Sequence, residues 1–202
     1  AQCLVGSEMC IRDRAPVCPP QRTIEYPIPA GESPERRWKL GRGHVIGTYQ
    51  DVQTIFAAQV LCDVLCGSNH APLCRAILER GLAEDVLLCC DDQCMQPVLM
   101  LQVQNFREAD LPAIEATIRD TLTALCETGL DREQIRASLA SVEFKLRERD
   151  YGTMPRGLLF ALEMLASWIY GGAPEARLCF DEILEALHRG VDTGYYETLL
   201  AR

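Results

Sequence analysis

The sequence is poor in the residues that build a hydrolytic centre. It has three histidines in 202 residues, His44, His70 and His188, and no two of them fall within one helical turn. A zinc hydrolase needs two or three nitrogen or carboxylate ligands that converge on one open site. The motif G-x-S-x-G, the P-loop and a well-placed Cys–His pair are also missing. The sequence therefore predicts no catalytic, cofactor-binding or metal-binding residue in this chain.

Basic clusters and long apolar runs are lacking as well. The net charge is -9 and no block of Lys and Arg forms a footprint for phosphate, so we expect no nucleic acid partner. No run of about 18 uncharged apolar residues occurs, and the N-terminus has no apolar segment of a secretory signal, so no membrane partner is predicted. A composition of 48% hydrophobic and 24% charged residues is typical of a soluble globular protein.

Short motifs that suggest chemistry have simpler explanations. Gly41-Arg42-Gly43 is similar to the start of a dinucleotide-binding loop, but no third glycine follows at the required spacing. His70 follows a predicted helix end and is interpreted as a cap or surface residue. His188 is predicted to end a helix and to contact its free carbonyl groups, and His44 has no assignment. A group of acidic residues is interpreted as part of a solvated, mixed-charge face: Glu143, Glu148 and Asp150.

Cysteine is abundant, with eleven residues, but the number is odd and no C-x-x-C occurs. Several cysteines fall on predicted buried helix faces, which favours free thiols in a reducing compartment. The alternative is a four-cysteine zinc site, although its spacing would depart from the usual pattern. In that alternative Cys62 and Cys66 share a helical face, and Cys90 and Cys94 bracket a turn. The remaining cysteines are Cys3, Cys10, Cys18, Cys74, Cys89, Cys126 and Cys179.

The order of predicted elements indicates an α+β fold, in which a mixed or antiparallel sheet is layered with helices and followed by a helical extension. Six prolines make residues 15–36 an extended linker. The next predicted elements are a strand over 38–49, a helix over 51–66 capped by Asp51, a short helix over 72–80, and a hairpin of strands 86–90 and 98–106.

Helical periodicity dominates the second half. A stripe of apolar residues predicts a helix over 111–125 that is ended by Gly129, and Asp131 with Gln134 predicts the next helix through a near capping box. The helix predicted over 156–170 is apolar on all sides, so it must be covered by other protein. Further helices are predicted over 174–189 and 192–200.

The first fourteen residues stand apart. They resemble a translated adapter sequence that recurs in metagenomic reads, and the alternative is a natural disordered tail. Both interpretations exclude the segment from the fold. The first one also implies a truncated chain, so that a motif absent here can lie in the missing part.

Several longer motifs resemble the pitrilysin/insulinase superfamily of zinc peptidases. The run from Leu61 to Leu73, which contains Gly-Ser-Asn-His-Ala-Pro-Leu, is similar to the second domain of these enzymes, as is Gln96-Pro97-Val98. The run Arg147-Glu148-Arg149-Asp150-Tyr151-Gly152 and the run Trp168-Ile169-Tyr170-Gly171-Gly172 resemble the presequence-protease branch. The resemblance covers residues 22–202.

The resemblance implies four related domains around a chamber, with zinc held in the first domain by an H-x-x-E-H helix. The counterpart of that helix here, residues 51–66, has no histidine. The resemblance therefore implies zinc in the parent protein and none bound by this chain. It also implies a non-catalytic domain over 37–150, a helical linker over 151–202, and a cytoplasmic location, or an organellar matrix in a eukaryote. The implied partners are the remaining domains of the parent and unstructured peptide substrates.

Three hypotheses for function are open at this point, two of them from the resemblance. The first is a fragment of an active zinc endopeptidase, to which this chain contributes chamber wall and hinge. The second is a non-catalytic structural or interaction subunit of the same fold. The third is an unrelated helical binding module, which a structure without the order strand, helix, helix, hairpin would favour.

Overall fold

The computed structural model describes residues 23–31, 33–148, 152 and 154–202. The predictions for residues 1–14, for the linker over 15–22, and for Arg149, Asp150 and Tyr151 lie outside these ranges. Residues 23–29 form neither helix nor strand. The chain divides into two compact units, Ala1–Pro34 and Glu35–Arg202, and the second unit contains the fold that follows.

An antiparallel sheet forms from β1 (Trp38–Val45), β2 (Asp85–Asp91) and β3 (Val98–Phe106). β3 lies between the other two and pairs with both, in the order β1-β3-β2. Side chains alternate along β3, so that Leu101 and Val103 face the core. The predicted hairpin and the α+β class are confirmed, whereas the first strand ends at Val45 and not at Tyr49.

A bulge at the end of β3 shifts the alternation of inward-facing and outward-facing side chains by one residue. Trp38 pairs with Phe106 and Lys39 pairs with Gln104, so Asn105 is an extra residue on β3. Its φ of 58° lies in the left-handed region, which asparagine tolerates better than most residues. The extra residue turns Phe106 towards the core, where it is 1% exposed.

Helix α1 (Val52–Cys66) is the centre of the core. Ten of its fifteen residues are buried, so it is covered on several sides, by β2, α2 (Pro72–Leu78) and α4 (Arg132–Glu148). Asp51 precedes the helix as predicted, but the prediction that its side chain caps the helix is wrong. Its Oδ2 accepts hydrogen bonds from the backbone N–H and the hydroxyl of Thr48 instead, at 2.7 and 3.0 Å. The carboxylate therefore stabilises the preceding turn.

Helices α3 (Leu111–Thr128) and α4 follow the predicted stripes. α3 ends at Gly129, whose φ of 84° suits glycine. Asp131 caps α4 by accepting a hydrogen bond from the N–H of Glu133 at 2.9 Å. The second half of the capping box is wrong, because the Gln134 amide donates to the carbonyl of Val64 at 3.2 Å. That bond joins α4 to α1.

The C-terminal region contains α5 (Arg156–Trp168), a 3₁₀ turn over Pro174–Arg177, α6 (Asp181–Thr193) and α7 (Tyr195–Leu200). The prediction of one helix over 174–189 is wrong, because the chain forms a 3₁₀ turn over Pro174–Arg177 and a separate helix from Asp181. Arg177 binds this turn to Asp92, as described below. The last helix begins at Tyr195 and not at 192, because Gly194 takes a left-handed conformation with φ of 73°. Leu184, Leu187 and Tyr196 are buried in the same core as α1.

The predicted division at residue 150 stays a prediction. Within the described ranges, no helix is both long and apolar enough to cross a membrane.

Candidate functional site

Helix α1 occupies the place that the sequence assigned to the counterpart of a zinc helix. Its buried positions carry Ile55, Phe56 and Val60, each at most 2% exposed. These side chains are apolar hydrocarbon groups that cannot coordinate a metal ion. In the part of the chain that the structure describes, no group of three or more His, Cys, Asp or Glu could hold a metal.

The three histidines lie on separate elements and do not converge. His44 is exposed on β1, opposite Leu99 on β3, and His70 is exposed before α2. His188 lies within α6 and not at its end, so the predicted contact with free carbonyl groups is wrong. Its Nε2 lies 3.1 Å from Oε2 of Glu143 instead.

Glu143 is the centre of an ionic network between α4 and α6. Its Oε1 accepts a hydrogen bond from Nε of Arg147 at 2.8 Å, and Arg147 also reaches Asp181 at 3.0 Å. The hydrogen bonds from Arg147 and His188 lower the pKa of the Glu143 carboxyl. The side chains of Glu143, Arg147 and His188 are partly exposed, at 28%, 50% and 48%. Such a network holds two helices together and offers no acid–base pair tuned by burial.

The described cysteines are free thiols, as the sequence predicted. Burial raises the pKa of Cys62 to about 12 and that of Cys90 to about 12, and it also raises the pKa of Cys66. The thiol of Cys74 lies 3.7 Å from the carbonyl oxygen of Cys66. At neutral pH these thiols stay protonated, so they are weak nucleophiles.

A buried ion pair that sequence reasoning missed joins Asp92, in the β2–β3 turn, to Arg177. The side chain of Arg177 is fully shielded from solvent, and its Nη1 donates to Oδ2 of Asp92 at 2.8 Å. Its Nη2 donates to the backbone carbonyl of Asp92, and Gln59 of α1 also reaches Oδ2 of Asp92, at 3.3 Å. No local signal in Pro-Glu-Ala-Arg indicates a buried arginine.

A second contact holds the chain just after α5. The hydroxyl of Tyr49 donates to the carbonyl of Tyr170 at 3.0 Å, and the two rings pack with centroids 5.5 Å apart and planes tilted by 35°. Gly172 packs against the Tyr49 ring so closely that an added Cβ would lie 2.7 Å from its Cε2. Residues 170–177 are therefore fixed to the sheet end of the domain at two points.

Helix α5 itself exposes apolar side chains. One side carries Leu158, Leu162, Leu165 and Trp168, with Ile169 directly after the helix, and these five are 40% to 63% exposed. Phe160, on another side, is 41% exposed. The inward side contains Ala166 and Ser167, both 2% exposed. Its main contact with another regular element is the 3₁₀ turn Pro174–Arg177. The sequence predicts that this helix is covered by other protein, and the residues left uncovered in this chain are Leu158, Leu162, Leu165, Trp168 and Ile169, which we call the α5 face.

Comparison with known proteins supplies the family. The family model "Peptidase M16 inactive domain" matches residues 33–142, which is more than half of the chain. The chain is 32% identical over 182 residues to Protein HypA of Clostridium perfringens, covering 90% of this chain and 19% of that protein. It is 35% identical over 138 residues to Presequence protease 1, chloroplastic/mitochondrial, of Arabidopsis thaliana, covering 68% of this chain and 13% of that protein. The chain thus spans a fifth or less of the length of these curated relatives.

Solved structures agree on the fold. A protein described as a zinc protease from Bordetella pertussis superposes with a TM-score of 0.63 at 12% identity, over 80% of this chain and 84% of that chain. The inactive peptidase domain of a protein described as a zinc protease from Bordetella parapertussis superposes with a TM-score of 0.59, also at 12% identity, over 81% and 82%. The family model, which matches more than half of the chain, places it in the M16 peptidase family, as a member of its inactive domain.

Proposed function

We propose that this chain is the non-catalytic part of a larger zinc endopeptidase that degrades short unstructured peptides, and that it contributes wall and hinge to the chamber. The observation that carries the proposal is α1. It is the central helix of the domain, but it presents Ile55, Phe56 and Val60 where a metal centre would need histidine and glutamate. Its role in proteolysis is therefore architectural.

The relatives support the peptidase context. The names of the Arabidopsis protein and of the Bordetella structures describe proteases, and the first of them is chloroplastic or mitochondrial. Zinc held elsewhere in the parent protein would polarise the peptide carbonyl and activate water. The described residues of this chain would instead shape the chamber and exclude bulk water when it closes. We place the parent in the cytoplasm, or in an organellar matrix in a eukaryote.

Of the two other hypotheses, the structure excludes the unrelated helical module and leaves the non-catalytic subunit open. The unrelated helical module is wrong, because the structure has the order strand, helix, helix, hairpin. A non-catalytic subunit of the same fold shares every property of α1 with our proposal. An H-x-x-E-H helix in the parent polypeptide separates the two, since only an active peptidase requires it.

The experiment uses the purified 202-residue chain, a quenched fluorescent peptide without structure, and added zinc. We expect no turnover, and after dialysis we expect less than about 0.1 zinc per chain by mass spectrometry, since converging ligands are needed for tight binding. Arabidopsis presequence protease 1, assayed on the same peptide, is the positive control. Chelator-sensitive cleavage by the 202-residue chain would overturn the proposal.

A further inference from the structure

We propose that the contacting thiols of Cys66 and Cys74 form a dithiol site, which a trivalent arsenical binds by bridging the two sulfurs. The site lies where the C-terminus of α1 meets the start of α2. It has no part in the zinc chemistry proposed for the parent protein, so this inference goes beyond the proposed function and does not depend on it.

The two thiols contact each other across the junction of the two helices. Cys66 is the last residue of α1, and its side chain donates a hydrogen bond to the thiol of Cys74. The sulfur of Cys74 lies 3.7 Å from the carbonyl oxygen of Cys66 and 3.5 Å from that of Val86. A small rotation of either side chain is therefore enough for one bridging atom to bond both sulfurs.

The nearby cysteines are arranged less favourably for a bridge. Cys89 and Cys90 are adjacent on β2, so their side chains point to opposite faces of the sheet. Cys62 lies one turn before Cys66 on α1, and the described contacts of its thiol with Cys90 and Cys89 are electrostatic, without a hydrogen bond between sulfurs. The junction of α1 and α2 is thus the place where two thiols already touch.

Burial decides which kind of ligand suits the pair. Cys74 is 2% exposed, and burial raises the pKa of both thiols, because it disfavours the charged thiolate. The same penalty acts on any charged complex, such as the anion that a monovalent copper ion forms with two thiolates. A monosubstituted trivalent arsenical forms a neutral adduct with two thiols. The environment therefore favours arsenic(III) over a monovalent soft metal ion.

The adduct forms by exchange of two hydroxyl groups for two sulfurs. Phenylarsine oxide hydrates in water to a species with two As–OH groups. The partly exposed Cys66 forms the first As–S bond, one As–O bond breaks, and the thiol proton leaves with the hydroxyl group as water. Cys74 repeats this exchange and a second water leaves. Arsenic stays trivalent, so the reaction needs neither oxidant nor reductant, and no free thiolate has to accumulate.

The second sulfur is what makes the adduct stable. Once arsenic is bound to Cys66, the thiol of Cys74 competes from a fixed position, and linkage of this kind increases the affinity roughly 100-fold or more over a single contact. An excess of a monothiol therefore displaces arsenic from isolated cysteines and leaves it on the pair. The bridge also ties α1 to α2 across the turn in which the N–H of Ala71 donates to the carbonyl of Ser68.

The test titrates the 202-residue chain with phenylarsine oxide in an excess of 2-mercaptoethanol. We expect mass spectrometry to find one arsenic atom in the peptide that contains both Cys66 and Cys74, and 2,3-dimercaptopropanol to remove it. Cys66→Ser and Cys74→Ala should each weaken binding at this site at least about 100-fold. The matched control is Cys62→Ala, which removes a thiol of the same helix that is 8% exposed. It should leave the affinity unchanged.

Thermal unfolding gives a second measurement. A covalent bridge restricts the unfolded chain as a disulfide does, so the adduct should raise the unfolding temperature of the unmodified chain by about 3 °C or more. The same treatment should leave the unfolding temperature of Cys66→Ser unchanged. Cys66→Ser replaces a partly exposed residue, so its fold is expected to persist, and circular dichroism checks this.

Three outcomes would overturn the proposal. No arsenic retained in the monothiol would show that the two sulfurs cannot be bridged. Equal retention by Cys66→Ser and Cys74→Ala would place the arsenic on other thiols as an adventitious additive only. A loss in Cys62→Ala as large as that in Cys66→Ser would show that the pair is not the site. Each outcome leaves the zinc and cleavage results untouched, so it is distinguishable from failure of the proposed function.

Discussion

Asp92 and Arg177 are 85 positions apart in sequence and form an ion pair at 2.8 Å, with side chains 16% and 0% exposed. Asp92 lies in the turn between β2 and β3, whereas Arg177 ends the 3₁₀ turn after α5. The pair therefore ties the C-terminal region to the sheet. Because Arg177 is fully shielded from water and Asp92 is largely shielded, each charge depends on the other for compensation.

Removal of the arginine should destabilise the domain strongly. Arg177→Met leaves Asp92 shielded without its cation, so we expect a loss of about 3 kcal/mol in the free energy of unfolding, measured by urea titration. The control is Arg119→Met, because that side chain is 71% exposed and its pair with Asp120 is 3.8 Å long. It should change stability by less than about 0.5 kcal/mol. A loss below about 1 kcal/mol for Arg177→Met would contradict the structural role of the pair.

Two glycines near α5 should respond oppositely to alanine. Gly172→Ala places a methyl group 2.7 Å from Cε2 of Tyr49, so we expect a loss of about 1–3 kcal/mol from overpacking. Gly157 lies within α5 and a Cβ there meets nothing within 4 Å. Gly157→Ala should therefore stabilise the chain, by up to about 0.8 kcal/mol. Thermal unfolding of both variants tests the pair, and equal effects would contradict the close packing of Gly172.

Cysteine reactivity should follow burial. Burial raises the pKa of Cys62 and of Cys90 to about 12, whereas Cys179 is exposed. Since the thiolate is the reactive species, a maleimide at pH 7.5 should label Cys179 at least about 100-fold faster than Cys62 or Cys90. Peptide mapping by mass spectrometry gives the rate at each site. Comparable rates at Cys179 and Cys62 in the folded chain would mean that α1 is not buried as described.

Acid should weaken the contact between α4 and α6. The pKa of Glu143 is lowered by Arg147 and then by His188, so its carboxylate contributes stability above its ordinary pKa of 4.5. This contribution is lost as the pH falls through the lower pKa of the folded state. Between pH 6 and pH 3, Glu143→Gln should therefore lose less stability than the unmodified chain, by less than about 1 kcal/mol because the pair is partly exposed. Parallel urea titrations measure the difference, and identical pH dependence in the two proteins would exclude the effect.

Local signals in the sequence were sufficient for most of the regular elements. The stripe Ile135, Leu139 and Val142 predicted α4 and its buried side, and all three residues are buried. Alternation predicted β3, but the bulge at Asn105 was not predicted, since the phase shift that it causes affects only Phe106, the last residue of the strand. Capping was predicted less well, because Asp51 bonds instead to Thr48 in the preceding turn, and Gln134 bonds to Val64, which only the fold brings near.

The sequence by itself determined the α+β class, the hairpin, the apolar character of α1 and α5, and the absence of histidine from α1, because these depend on residue identity and spacing along the chain. Only the tertiary structure decided where α5 points, which of its sides is left exposed, and that Arg177 is buried against Asp92. The physical reason is that burial and pairing are set by residues distant in sequence. An apolar side chain shows that a cover is needed, but only packing shows whether this chain supplies it.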